Sequence, residues 1–182
     1  MSGGEFLTRF TVWVAVAGYA AGTAAFALSR GRRRWDTAAR LAWTIGCASL
    51  LAHVACAFNF YHGWSHAAAY RDTARQTAGA TGLDWGGGVY FNYALLIAWV
   101  ADVAWWWRRG HDAYRRRPWL LTVAWHAFLI FMVFNATVVF ASGVVRWAGL
   151  CVCLGLGVAW WFAARDDSPR RPDARTLTVA KD

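Results

Sequence analysis

Apolar residues in this chain gather in runs. Five of the runs are long enough to cross the hydrocarbon core of a bilayer, which takes about 20 residues of helix at a rise of about 1.5 Å each. They cover residues 10–29, 39–61, 87–107, 118–140 and 143–163. The pattern predicts an all-α integral membrane protein, a helical bundle of five transmembrane helices forming one domain over residues 1–163. A flexible cytoplasmic tail follows at 164–182, with Asp166, Asp167, Pro169 and Pro172 in it.

Composition agrees with that reading. Of 182 residues, 58% are hydrophobic and only 16% charged, a poor recipe for a soluble domain of this size. A net charge of +9 would ordinarily suggest nucleic acid. The placement of the basic residues removes that partner, because they sit in blocks between apolar runs. The connections "SRGRRRWDTAAR" and "RRGHDAYRRR" and the tail from Ala164 hold fifteen of the nineteen, leaving Arg9, Arg71, Arg75 and Arg146 on the opposite side. The positive-inside rule then places the N-terminus outside and the C-terminus in the cytoplasm of a bacterial-type inner membrane. An odd number of crossings reconciles the two. The first run reads as a retained span, since it lacks a basic start and cleavage would leave "RGRRRW" at an exported terminus.

Tryptophans cluster at the boundaries. Trp64, Trp85 and Trp147 fall at the outer one, and Trp35, Trp105, Trp106, Trp107, Trp119, Trp160 and Trp161 at the inner one, where an indole keeps its N–H wet. Cys47, Cys56, Cys151 and Cys153 all lie within spans and act as small apolar residues.

Between spans two and three lies the longest connection, His62 to Gly86. Its "SHAAAYRDTARQTA" predicts a short helix on the outer membrane surface, starting at Ser65, and the glycines at 86–88 predict a sharp turn into the third span. His62 and His66 stand four residues apart, a spacing that puts two imidazoles on one helical face and suits zinc, copper or iron. Asp84 is the third ligand in that reading, with Asp72, Tyr70 and Asn59 within reach. The alternative is a pair of solvated imidazoles that steady the end of the helix. The H-x3-H spacing resembles one histidine box of the membrane desaturases and hydroxylases, but those di-iron sites need several boxes and this chain has 5 histidines. No family is assigned on it.

Ionisable groups inside a span ask for partners. Asp102 and His126 fall at similar depth on spans three and four, so either they pair and carry a proton, or Asp102 reaches toward Arg108 or Arg109. Nearer the outer side, His53, Asn59, Asn92 and Asn135 form a second polar set that bridges helices or lines a cavity. Haem is disfavoured, because His53 and His126 differ by roughly 10 Å in depth.

Three functions fit these residues. The first is a non-catalytic accessory or binding subunit of a membrane complex, partnered by the bilayer and by other subunits. It rests on the small-residue stretches "GYAAGTAA" and "GLGVAW", which permit close helix packing. The second is an outward-facing metal- or quinone-dependent enzyme built on His62, His66 and Asp84. The third is a proton or small-solute conduit through Asp102, His126 and His53.

Overall fold

A computed structural model describes residues 2–29 and 32–166, with side chains as far as Val158. Every regular element among them is helical. In chain order these are α1 (Gly3–Leu28), α2 (Arg33–Ala57), α3 (His66–Thr81), α4 (Gly88–Arg115), α5 (Trp119–Phe134) and α6 (Val144–Asp166). Two of them run on into single π-helical turns, α2 through Phe58–His62 and α5 through Asn135–Val139.

With those extensions, α1, α2, α4 and α5 are long and apolar enough to cross a membrane, and in α6 the apolar stretch with described side chains is Val144–Val158. α1, α2, α4 and α6 overrun their apolar runs. α1 begins at Gly3, seven residues before its run, because the Ser2 hydroxyl accepts from the Glu5 N–H at 3.2 Å and Glu5 pairs with Arg9 at 2.8 Å. A cap and an i,i+4 pair stabilise a polar first turn that hydropathy does not register. The tail expected at 164–182 lies outside the described residues from 167 onward.

The tightest packing is the α1–α2 hairpin. A Cβ on Gly18 would lie 2.6 Å from the Cα of Gly46, so the two backbones cross with no side chain between them. Gly46 also accommodates the ring of Trp99, 3.0 Å from where its own Cβ would stand. Around that crossing Tyr19, Trp43, Trp99, Trp106 and Leu129 form a core contributed by α1, α2, α4 and α5. At the α3 end, Ser65 caps the helix by accepting from the Ala68 N–H at 3.2 Å. A Cβ on Gly86 would collide with the carbonyl of Tyr70, so the glycine run permits the close approach of α3 as well as the turn.

α4 is interrupted at Gly110, whose φ of 78° and ψ of 178° belong to a region essentially confined to glycine. The chain is redirected there. Residues after it fold back under the bundle before Pro118 starts α5, and this return segment shapes the site described next.

Candidate functional site

Asp102, on the inward side of α4, sits at the centre of a polar knot. One carboxylate oxygen accepts from the Tyr114 hydroxyl at 2.7 Å and from the Trp43 indole at 2.9 Å, and the other pairs with Arg117 at 2.9 Å. Arg117 in turn donates through Nε to Thr122 at 2.9 Å and lies over the ring of Tyr114. The arginine side chain is 4% exposed and the aspartate 10%, so the pair is nearly dry. Such a pair is tolerable where further hydrogen bonds offset its desolvation, and Tyr114, Trp43 and Thr122 supply them here.

Beside it stands an aromatic stack. Trp106 and Tyr114 are parallel at 3.9 Å, Phe26 meets both edge-on, and Arg115 covers Phe26 at 4.4 Å. Arg115 also donates to Ser29 and Asp36, tying the return segment to the α1–α2 turn. Burial pushes the Asp36 carboxyl up, but the hydrogen bonds from Arg115 and Ser29 outweigh it and hold its pKa below the ordinary value. His111 moves down for another reason, burial first and then the cations Arg40 and Arg33. Burial and the Asp102 charge together raise Tyr114, keeping its phenol protonated as a donor.

Deeper in the bundle, His126 is buried against Tyr19, whose hydroxyl lies 3.5 Å from its Nδ1, with the ring of Trp43 5.9 Å away. Trp43 thus touches both the histidine and, through its N–H, Asp102.

At the opposite end His62 Nδ1 donates to the Asp72 carboxylate at 2.9 Å, and Asp72 also pairs with Arg75. His66 faces two phenols, Tyr93 at 2.9 Å from Nδ1 and Tyr90 at 3.5 Å from Nε2. The two histidines do not share a helical face. Gly63 (φ 52°) and Trp64 (φ 59°) are both left-handed, so His62 closes one helix and His66 opens another. Asp84 lies exposed in the loop beyond α3. Among the described residues no group of three or more His, Cys, Asp or Glu is placed to hold a metal ion.

The chain matches no protein-family model, no curated protein and no solved structure. Its site is therefore argued from its own geometry.

Several expectations are corrected by that geometry. Asp102 reaches Arg117 rather than Arg108 or Arg109, because the return segment brings residue 117 back under α4 while α4 carries 108 and 109 past it. Of the second polar set, His53 bridges two helices, donating from α2 to the Thr8 carbonyl of α1 at 2.9 Å, whereas Asn135 donates to the carbonyl of Phe131 on its own helix at 2.7 Å, and Asn59 and Asn92 are exposed. Trp106, expected wet at the inner boundary, is 1% exposed and donates to His111 at 3.3 Å. Trp64, Trp85, Trp147, Trp35, Trp107 and Trp119 are exposed, while the side chains of Trp160 and Trp161 lie outside those described. Sequence reasoning missed Trp43, Tyr114, Arg115 and Arg117. A lone Asp36 within a basic connection was the one signal that an arginine would be drawn inward.

Proposed function

We propose that this chain is a five-span protein of a bacterial-type inner membrane, N-terminus outside, and that it serves as a non-catalytic binding subunit within a larger membrane complex. In this reading α6 is the fifth span, α3 lies on the outer membrane surface, and the arginine-rich end faces the cytoplasm.

The observation that carries the reading is an open groove between α4 and α5. It encloses about 590 Å³ and is floored by Ala94, Ala98 and Ala101 of α4 facing Leu121, Ala124 and Phe128 of α5. Asp102 and Arg117 border it, already paired with each other. Alanines at spacings of four and three leave room for a helix backbone, and small residues are what membrane helices use to approach closely. The occupant that fits is a transmembrane helix of a partner subunit.

Isolation of the tagged protein from its native membrane in mild detergent, followed by mass-spectrometric and elemental inventory of what accompanies it, tests the proposal. A stoichiometric membrane protein is expected, and Ala98→Leu with Ala101→Leu should release it while leaving the melting profile of the bundle close to wild type. A strictly lone chain, or a stoichiometric lipophile or metal in place of a protein, overturns the subunit reading.

A further inference from the structure

A second cavity, about 430 Å³, opens at the arginine-rich end between the start of α2 and the return segment after Gly110. Arg33 comes to it from α2, Arg109 from the end of α4, and Arg115 and Arg116 from the return segment, with His111 beside them. Four arginines thus line one small cavity against two acids, Asp36 and Asp112.

These arginines divide into two kinds. Arg115 is held by Asp36, Ser29 and the Phe26 carbonyl, and so belongs to the frame of the fold. Arg33, Arg109 and Arg116 form no ion pair among the described residues, although each lines the same space. Like charges gathered around one cavity repel, so the arrangement favours an anion between them. Arg116 follows Gly110, whose conformation other residues resist, and the chain beyond that break lines the same cavity as Arg33.

We propose that this cavity is a binding site for a phosphate group, gripped by Arg33, Arg109 and Arg116. Guanidinium forks match the spacing of phosphate oxygens and bind them in a bidentate manner, which separates this site from one built for a simple halide, and three forks around one cavity suit the several oxygens and higher charge of a phosphate. Two sources offer that chemistry, the headgroup of an anionic phospholipid and a soluble phosphate ester. Trp35 and Trp107, each two residues along the chain from a cavity arginine (Arg33 and Arg109), are exposed and of the kind that sit at headgroup level, and a basic pocket at this end suits a lipid. The lipid source rests on the membrane reading above; the phosphate chemistry does not.

The test uses the full-length protein in detergent, with binding read by native mass spectrometry and by melting temperature. Three titrants are compared: micelles doped with phosphatidylglycerol, micelles doped with phosphatidylcholine, and inorganic phosphate. A triple variant, Arg33→Gln with Arg109→Gln and Arg116→Gln, is set against a control of equal charge loss, Arg32→Gln with Arg34→Gln and Arg108→Gln. Phosphatidylglycerol should raise the wild-type melting temperature and persist as a one-to-one adduct, with binding about tenfold weaker in the pocket variant and little changed in the control. Phosphate acting alone with the same dependence on the three arginines supports the site and assigns it to a soluble ester. If the pocket triple melts poorly without ligand, Arg116→Gln alone, at an exposed position, should still weaken binding several-fold. Equal losses in pocket and control variants, or no response to either anion, overturn the proposal, and neither result bears on whether a partner helix fills the α4–α5 groove.

Discussion

Asp102 keeps its place in an apolar bundle because three separate stretches of chain aim donors at it, Trp43 from α2, Tyr114 from the return segment and Arg117 from the residue before Pro118. Removing one partner is costly, since a charge that stays behind without its counter-ion loses solvation and gains nothing in return. Arg117→Ala should therefore destabilise the protein by about 3 kcal/mol, the low end of the range for breaking a buried pair. Replacing both members with apolar residues, Asp102→Leu and Arg117→Met, should cost less than the single change. Denaturant titration in detergent checks this, and a single variant as stable as wild type would show that the pair is solvated after all. Which residues are ionisable, and on which helix each falls, was legible in the sequence. Which arginine turns inward was not, because Arg115, Arg116 and Arg117 are consecutive and only the backbone after Gly110 decides between them.

At the scale of elements, the helices were legible because a bilayer-length apolar run has few other solutions. Their ends were not. Capping at Ser2 and the Glu5–Arg9 pair extended α1, and the two π turns depend on contacts that hydropathy does not encode. In α5 a cause is visible: Asn135 donates back to the Phe131 carbonyl, a side-chain bond that competes with the helical ladder at the point where the pitch changes. The outer histidines failed as a shared face for a comparable reason, since a single Gly63 was not enough to announce that Trp64 would also turn left-handed. The α1–α2 crossing makes the clearest prediction at this scale. Gly18→Val should separate the helices, because even a Cβ would sit 2.6 Å from the Gly46 backbone, and backbone cannot swing aside as a side chain does. A fall in melting temperature of several degrees is expected, corresponding to about 2 kcal/mol for overpacking. Gly79→Val, at a position with open space around it, serves as the comparison and should lower it less.

For the whole molecule, the division of charge sets the orientation to be tested. With the native cysteines replaced, a cysteine at Gln76 on α3 should react with a membrane-impermeant maleimide in intact cells, and one at Asp112 only after permeabilisation. The reverse pattern would overturn the orientation, and labelling of both from one side would remove α4 as a span. The arginines at that end also do more than mark a side. Asp36 is synthesised well before its partner, and Arg115 reaches it only from 79 positions further along the chain. Asp102 waits likewise for Arg117, 15 positions on. If α4 ran the other way against α2, Arg115 would lie at the far end of the bundle and Asp36 would be left without its counter-ion. The Asp36–Arg115 pair therefore closes only after α2, α3 and α4 have brought two connections, 79 positions apart in the chain, back to the same end of the bundle.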